Sequence, residues 1–434
     1  MNTRAFTGPR IGVALLFVLA LVCFACKDTR SGSRYRFSFG HISPDTGAVD
    51  VYIDGNLFFE GLPPGDVTGY IVLANRPRSI AYTLAGEEEA IAGPREPEPI
   101  QGGGRQTVLL IGTEADNTRT LLAWNQRQGE PDNDRLRVLI THGGIDVDRV
   151  ELVLDGRVES RSIRFLDAAD GNNRPAELTR LKIRREEEGL KLTGQTAYPL
   201  PGGGDYSVIL DGTLADDTIR MLVLRDVDGM FFEPASQIRP FHGLAGIEEV
   251  DFLANGELLL DRSKFADREE YIPILPGTYR ITANLPDTDT EVADLGEVTL
   301  APGGDATVFA HLPPSGMGDG EGTSVADTDE IAVDDTARLR FANLVADVEG
   351  GIILLLEGEA IFGTVGYTGV TDYLRVENGT QEFIILDAAT GEELLPAENF
   401  RLRQGEDFTI TAVGLASGEP EIELVRLEDD LDRR

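Results

Sequence analysis

The feature that most constrains the fold is a stretch of fifteen residues that returns, in imperfect copies, about every hundred positions. Its first copy, residues 41–55, reads His-Ile-Ser-Pro-Asp-Thr-Gly-Ala-Val-Asp-Val-Tyr-Ile-Asp-Gly. Residues 142–156 and 242–256 repeat it, and a fourth copy ends at Gly358 with Leu344 at the histidine position. Repetition at a fixed spacing is typical of one structural unit used several times. The sequence therefore predicts four similar units.

The boundaries of these units follow from the spacing and from polar, Gly-containing or Pro-containing junctions. The chain has 434 residues, and domains commonly hold roughly 100 to 200. We place β-rich units at 34–130, 131–232, 233–336 and 337–434. In the third unit, the acidic and glycine-rich segment 314–328 is predicted to be a loop before a final strand at 330–333.

Each unit shows the residue pattern of an all-β fold. It opens with an alternating strand that carries arginine, and the next strand is apolar and closes with Asp-Gly, Asn-Gly or Glu-Gly. Alternation places one face of a strand in a core and the other in water, and these dipeptides favour the positive φ angles of tight hairpins. About seven short strands in each unit indicate tandem immunoglobulin-like β-sandwiches.

Two further positions recur with the same period. Tyr70, Tyr271 and Tyr373 each lie twenty-nine residues after the first position of their copy, where the second unit has Gly171. Residues 112–116 and 212–216 share the pattern Gly-Thr-x-Ala-Asp before the last strand. A strand of ten residues spans about 33 Å, so four sandwiches placed end to end would form a rod on the order of 130 Å long.

The first residues predict export. Arg4 and Arg10 precede an apolar run at 11–25. This run is shorter than the roughly 20 residues of a membrane-spanning helix and is typical of a signal peptide, here residues 1–25. Ala25-Cys26 resembles a bacterial lipobox, which implies a lipidated Cys26, a short tether at 26–33 and an outer-membrane lipoprotein facing the periplasm or the cell surface. The alternative is an ordinary signal peptide with an incidental thiol.

Charge and cysteine content limit the partners. The formal charge of −36 opposes contact with nucleic-acid phosphates and favours a soluble monomer. The only cysteines are Cys23 and Cys26, so we expect no disulfide in the folded part. The expected partners are the membrane, through the lipid anchor, and an envelope polysaccharide or protein.

The stretch at 41–55 resembles the opening of the bacterial domain of unknown function 4397, whose members read His-Ala-Ser-Pro-Asp followed by Val-Asp-Val-Tyr-Val-Asp-Gly. The first and third units are the most similar to it. The resemblance implies an extracytoplasmic β-sandwich, often in tandem and attached to the cell surface, and it implies no activity. We expect structural roles for the residues that carry it, namely His41, Asp45, Asp50, Asp54, Gly55, His142, Gly156, His242 and Gly256.

Catalytic and metal sites are weighed against these structural roles. His41, Ser43 and Asp45 suggest a catalytic triad, but alternate residues of an extended segment lie about 6.6 Å apart, whereas triad hydrogen bonds need about 2.6–3.2 Å. The second and third copies also replace the serine by Gly144 and Leu244. We therefore predict no catalytic residue, no cofactor and no transition metal, while calcium in the loops at 167–173, 226–229 and 319–330 stays open beside simple solvation.

Two functions from different classes remain. The first is a non-catalytic cell-envelope lipoprotein that serves binding, adhesion or scaffolding. The second is a hydrolase of envelope glycans, which would need two carboxylates at a defined separation. An enzyme would gather convergent polar residues in one unit, whereas this chain distributes similar residues over four, which favours the scaffold.

Overall fold

The computed structural model describes residues 35–74, 76–97, 104–126, 129–176, 178–186, 190–216, 218–313, 319–327 and 336–429. The predicted signal peptide, Cys26, the tether and the predicted strand at 330–333 lie outside these residues. The described part consists of strands β1 to β33 joined by turns, and it contains no helix of the length and apolar character that a membrane span requires.

The first unit is a sandwich of two four-stranded sheets. Its strands are β1 (Tyr35–His41), β2 (Val49–Ile53), β3 (Asn56–Leu62), β4 (Ile71–Leu73), β5 (Ile80–Leu84), β6 (Ala90–Arg95), β7 (Arg105–Ile111) and β8 (Thr120–Gln126). One sheet has the order β4-β1-β7-β8 and the other the order β3-β2-β5-β6. The central strands β1 and β7 run parallel, and their other neighbours run antiparallel.

The second unit repeats this order with one added edge strand. Its strands are β9 (Arg135–His142), β10 (Arg149–Leu154), β11 (Arg157–Arg164), β12 (Ala168–Pro175), β13 (Leu178–Arg185), β14 (Thr196–Pro199), β15 (Asp205–Asp211), β16 (Arg220–Arg225) and β17 (Met230–Phe232). The sheets are β12-β9-β15-β16-β17 and β11-β10-β13-β14. The loop predicted at 167–173 is therefore largely the edge strand β12.

The third unit has the same order, but its two sheets join into one of eight strands. Its strands are β18 (Ser236–Gly243), β19 (Glu249–Ala254), β20 (Glu257–Lys264), β21 (Ile272–Ile274), β22 (Gly277–Asn284), β23 (Glu291–Leu300), β24 (Asp305–His311) and β25 (Gly320–Asp327). The order is β20-β19-β22-β23-β25-β24-β18-β21, with the two halves meeting where β23 and β25 run parallel.

The loop predicted at 314–328 is wrong over residues 320–327, because these residues form β25, the last strand of the third unit. The glycines that indicate a loop in the sequence allow close packing where the sheets join. A Cβ atom at Gly322 would lie 2.5 Å from the Cα of Leu295, and one at Gly320 would lie 2.8 Å from the Cβ of Ala293. Glycine is therefore needed here for close approach of two backbones.

The fourth unit returns to two separate sheets. Its strands are β26 (Thr336–Val345), β27 (Ile352–Leu356), β28 (Glu359–Ala360), β29 (Leu374–Glu377), β30 (Gly379–Asp387), β31 (Glu393–Leu402), β32 (Asp407–Gly414) and β33 (Glu423–Glu428). The sheets are β29-β26-β32-β33 and β28-β27-β30-β31. The predicted tandem β-sandwich architecture is confirmed. The strand order, which the sequence left open, places the first strand beside the seventh in every unit.

The predicted hairpin turns after each second strand are confirmed. Asp54 and Gly55 have φ angles of 51° and 77°, and Asp155 with Gly156, Asn255 with Gly256 and Glu357 with Gly358 are also positive at both positions. Two consecutive positive φ values are typical of a type I′ turn, which matches the right-handed twist of the strands it joins. The turn residues therefore set the register of the hairpins that follow.

The first and second units pack face to face, and so do the third and fourth, so the predicted end-to-end arrangement is wrong within each of these two pairs. The sheet β4-β1-β7-β8 covers the first unit's own core with one face and the second unit with the other. Leu109 and Trp124 of the first unit meet Leu139 and Ile209 of the second in one apolar cluster. The second face of this sheet is thus buried, and the alternation rule fails because a neighbouring unit replaces water.

The third and fourth units form an equivalent pair. Phe241 and Phe309 of the third unit pack against Leu344 and Val413 of the fourth. Each pair is a stack of four layers of strands with three apolar clusters between them, although two layers of the third unit belong to one continuous sheet. Between the pairs, the Ala235 amide donates to the Ala197 carbonyl, and Lys191 of the second unit contacts Asp407 of the fourth at 2.6 Å.

Candidate functional site

The histidine that opens each motif closes the loop after the first strand. His142 and His242 bond through Nε2 to the carbonyl oxygens of Val147 and Ile247, five residues later, at 3.0 Å. Their Nδ1 atoms accept the amides of Gly144 and Leu244 at 3.1 and 3.2 Å. These bonds require a neutral ring with the proton on Nε2. Both nitrogens are thereby occupied by backbone groups.

His41 occupies the same position in the first unit. Its Nε2 lies 3.1 Å from the Thr46 carbonyl oxygen and 3.0 Å from that of Gly47. Burial lowers its pKa, against the effect of these hydrogen bonds. Ser43 bonds to Thr46 at 2.7 Å and to Asp45 at 3.4 Å. The structure therefore directs the histidine toward backbone carbonyls and the serine toward its own loop, an arrangement that is not a proton relay.

Burial shifts the remaining motif histidines in the same direction. It lowers the pKa of His142 and of His242 to about 4, against the opposing effect of the carbonyl contacts. Both side chains have no exposed surface. These rings are neutral at physiological pH, which is the state that their hydrogen bonds require.

In the fourth unit, Asn343 holds this position, so the placement of Leu344 there is wrong. Asn343 pairs with Ala412 across β26 and β32, as His142 pairs with Leu210 across β9 and β15. The Asn343 side chain donates to Val365 O and accepts the Val345 amide, both at 2.9 Å. Counting back from the Glu-Gly turn misses the position by one residue, because the fourth copy is one residue longer.

The motif aspartates bind the turn that precedes the last strand. Asp45 accepts the amides of Glu114 and Ala115 at 2.9 Å, and Asp146 accepts those of Leu214 and Ala215 at 2.7 and 2.8 Å. Burial opposes ionisation of Asp45, but these amides outweigh it and lower its pKa. The recurring Gly-Thr-x-Ala-Asp turns are thus the binding partners of the motif aspartates.

The third unit lacks both halves of this contact. Gly246 stands in the loop where the other units have the aspartate, and the chain continues after β24 as His311-Leu312-Pro313. The fourth unit keeps it in another form, because Asp347 accepts the amides of Ala416 and Ser417 at 2.7 and 2.9 Å. The motif aspartate is therefore present in the units that have a turn for it to bind, and it is absent from the third unit, which lacks that turn.

The later motif positions also bond to backbone. Asp50 is buried and accepts the amides of Gly61 and Gly86 at 2.7 and 2.9 Å. Asp54, in the hairpin turn, accepts those of Arg78 and Ser79 at 2.7 and 2.9 Å. The turn residues of the other units do the same twenty-five positions along the chain, as Asp155 to Arg180, Asn255 to Arg280 and Glu357 to Glu382.

The third and fourth units are joined by a buried ionic cluster with approximate two-fold symmetry. Arg239 of the third unit contacts Asp429 of the fourth, and Arg340 of the fourth contacts Asp327 of the third. Each of these four side chains is at most 3% exposed. Two positive and two negative groups are therefore removed from water at one interface.

Tyrosines and threonines complete this cluster. Arg239 lies 4.5 Å from the ring centroid of Tyr271, and Arg340 lies 4.7 Å from that of Tyr373. The tyrosine hydroxyls donate to Asp327 and Asp429 respectively. Thr307 and Thr409 donate to the same two carboxylates at 2.8 and 2.6 Å. The hydrogen-bonding capacity of the carboxylates is thus well used, which is the condition for a favourable buried ion pair.

Sequence reasoning missed this cluster because alternation alone directed the first-strand arginines into water. The available signal was the shared spacing of three residue types. Arg239 and Arg340 are 101 positions apart, Tyr271 and Tyr373 are 102 apart, and the two aspartates, Asp327 and Asp429, are 102 apart.

The first and second units replace this cluster by a smaller polar group. Ser38 and Leu139 stand at the arginine positions, and Gln126 and Asp226 at the aspartate positions. Ser207 bonds to Asp226 at 2.8 Å, but the second carboxylate oxygen of Asp226 has no hydrogen-bond partner among the described residues. Burial raises the pKa of Asp226 well above its usual range.

Metal binding finds little support in the described residues. They contain no group of three or more His, Cys, Asp or Glu side chains arranged to hold a metal ion. In the loop at 226–229, Asp226 is buried beside Ser207, and Asp228 pairs with Arg225. In the segment 319–330, residues 320–327 form β25, and Asp327 belongs to the ionic cluster.

The chain matches one protein-family model twice, once in each half. A family profile described as a domain of unknown function (DUF4397) matches residues 36–152 and again residues 236–350. Each match begins in the first strand of one unit and extends into the following unit, and together they cover more than half of the 434 residues. A comparison with curated proteins finds no match.

Proposed function

Because the chain belongs to the DUF4397 family, we propose that it is a non-catalytic, cell-envelope scaffold that presents a rigid all-β body. The observation that carries this proposal is the use made of the repeated polar residues. The motif histidines and aspartates bond to backbone groups of their own unit, and the first-strand residues Arg239 and Arg340 bond to the neighbouring unit. The hydrogen bonds and ion pairs of the repeated polar residues therefore stabilise the fold of each unit and the packing between units.

The face-to-face pairs support the same function. An unpaired sandwich can rotate about its linker, whereas two sandwiches that share an apolar layer and a buried ionic cluster move as one body. Such a body holds its exposed edges and loops at fixed separations. A scaffold or adhesin gains from this, because binding several points of a polymer or of another protein depends on fixed spacing.

The proposal also includes the cellular location of the protein. The signal peptide and lipobox-like Ala25-Cys26 support attachment to the outer membrane, with residues 26–33 as the tether. Substituting Cys26→Ser is expected to move the protein from the membrane fraction to the soluble fraction, and globomycin is expected to cause the precursor to accumulate. If the variant stays with membranes after an alkaline wash, the lipid anchor at Cys26 is wrong.

Binding is tested with the soluble fragment 27–434, which contains every described residue. We expect it to retain an envelope polysaccharide or protein from fractionated envelopes, and the comparison with and without calcium tests the loops that the sequence left open. A fragment that retains no envelope component in either condition would limit the function to spacing.

A second candidate, a hydrolase of envelope glycans, is favoured by one pair of carboxylates. Burial raises the pKa of Glu398 and of Glu423, and the charge of Glu398 raises that of Glu423 further. Release of reducing ends from envelope glycans by the fragment, lost in a Glu398→Gln/Glu423→Gln variant, would favour this candidate over the scaffold. By contrast, the acidic run at 87–89 is exposed.

A further inference from the structure

A pocket opens at the edge of the second unit, where its two sheets are not closed by a long strand. The sixth strand of this unit, β14, has four residues, whereas its counterparts β23 and β31 have ten each. The space that remains between β14 and the start of β16 is a cavity of about 220 Å³. Pro234 and Gly303 of the third unit form its far wall.

The wall of this cavity is apolar on one side. Leu192 and Tyr198 belong to the core of the second unit, and Ile219 and Met221 pack against that core. A ligand that enters the cavity therefore contacts hydrophobic surface that is continuous with the protein interior. Apolar walls with a few convergent polar groups are typical of small-molecule sites.

The polar groups of the cavity come mainly from β14. Thr196 and Tyr198 are alternate residues of this strand, so their side chains lie on the same face. Both line the cavity, and neither hydroxyl makes a hydrogen bond to a described residue. Tyr198 is only 3% exposed, and burial raises its pKa. Neither hydroxyl is among the enclosed polar atoms that lack a partner, so both are reached from the open side of the cavity, where water or a ligand can bond to them.

Arg220 supplies a hydrogen-bond donor to the cavity, and its positive charge is balanced by a neighbouring carboxylate. Its Nε and Nη2 bond to Asp211 at 3.0 and 2.7 Å, and Nη2 also donates to the Ile42 carbonyl at 2.8 Å. Asp211 neutralises the guanidinium, and the chain as a whole carries −36. The cavity therefore disfavours an anion, while the remaining Nη1 donor is available to a neutral oxygen acceptor.

We infer that this cavity is a binding site for a neutral sugar, with one ring packed on the apolar wall and its hydroxyls bonded to Thr196, Tyr198 and Arg220. The volume is below the roughly 300–1,000 Å³ of pockets for drug-sized ligands, which limits the occupant to about one ring. A sugar ring combines an apolar C–H face with several hydroxyls, and this combination matches the two sides of the cavity. The site depends on the pocket alone and not on the membrane address.

The experiment is saturation-transfer difference NMR on the purified full chain in mild detergent, with glucose and N-acetylglucosamine as neutral probes and glucuronate as an anionic one. We expect transfer to at least one neutral sugar and weaker transfer to glucuronate than to glucose. Tyr198→Phe, which removes only the hydroxyl, is expected to weaken binding about fivefold, as for the loss of one hydrogen bond. Tyr52→Phe in the first unit is the matched control.

A filling variant gives an independent outcome. Met221→Trp occupies the cavity and is expected to abolish transfer, and an unchanged thermal unfolding transition shows that the chain is folded. If Met221→Trp does not fold, Thr196→Val together with Tyr198→Phe replaces it, with an expected loss of about twentyfold. Transfer to none of the probes, or transfer that these variants leave unchanged, would overturn the site.

Discussion

At the scale of single residues, each motif side chain satisfies backbone groups that the loop would otherwise leave unpaired. His242 both donates to the Ile247 carbonyl and accepts the Leu244 amide, and it has no exposed surface. Asn343 shows that the task needs one donor and one acceptor on a short side chain. The residue type can therefore vary while the pair of hydrogen bonds is kept.

Substitution of His242 tests this explanation. His242→Ala removes two buried hydrogen bonds and leaves a void, so we expect the free energy of unfolding to fall by about 2–4 kcal/mol. His242→Asn keeps a donor and an acceptor and should lose about half as much. Denaturant unfolding of both variants checks this order, and equal losses would show that the ring acts by volume alone.

The same histidines predict a pH dependence of stability. Their pKa is about 4 in the folded chain and about 6.5 when unfolded. The unfolded state binds more protons between these values, so stability is fully present above pH 6.5 and falls as the pH drops toward 4, by about 3 kcal/mol for each ring. Thermal unfolding of the wild type and of a His142→Asn/His242→Asn variant from pH 7 to pH 4 measures it, and the variant should show a flatter profile.

At the scale of elements, the positions of the strands can be predicted from the sequence, whereas the burial of their second faces by a neighbouring unit cannot. The Asp-Gly and Asn-Gly turns and the alternating strands are read correctly, because hairpin geometry and period are local properties. Burial of the second face of β18 and β26 depends on the neighbouring unit, which is not local. Arg239 and Arg340 consequently look like surface residues until the two sheets are placed together.

The buried cluster provides a prediction at this scale. Arg239→Met removes the guanidinium in direct contact with the buried Asp429, which then keeps only Arg340 at 4.0 Å, and we expect a loss of about 3–5 kcal/mol in the free energy of unfolding. Adding Asp429→Leu should recover part of this loss, because the unpaired charge is removed too. Arg262→Met, at an exposed ion pair, should cost at most about 1 kcal/mol. A double variant as unstable as the sum of the single ones would contradict direct pairing.

Strand β25 could not be predicted from the sequence for a different reason. Gly320 and Gly322 indicate a flexible loop when only the sequence is considered, but in the structure they allow close packing where two sheets join. Gly322→Ala places a methyl group against the Leu295 backbone and should destabilise the third unit by about 1–3 kcal/mol. Gly363→Ala is the control, because a Cβ there meets nothing within 4 Å. Hydrogen exchange of β23 and β25 locates the effect, and exchange unchanged by Gly322→Ala would contradict the junction.

At the scale of the whole molecule, pairing makes the particle shorter and wider than four sandwiches in a row. Leu109→Asp puts a charge into the layer between the first and second units, so these units should separate. Small-angle X-ray scattering should then show a larger maximum dimension than for the wild type. Leu57→Asp, at a half-exposed site, should leave the scattering unchanged, and identical curves for all three proteins would contradict the paired arrangement.

In the described part of the chain, the interface between the third and fourth units contains reciprocal charges that the interface between the first and second units lacks, and this difference affects folding during synthesis. Four homologous repeats in one polypeptide offer several wrong partners of similar shape, and misassembly between neighbours is a characteristic failure of repeat proteins. Arg340 placed against the first unit would face Gln126 in place of a carboxylate, and would be left as an uncompensated buried cation. The reciprocal charges thus discriminate between correct and incorrect docking, and they do so most strongly for the pair that is synthesised last.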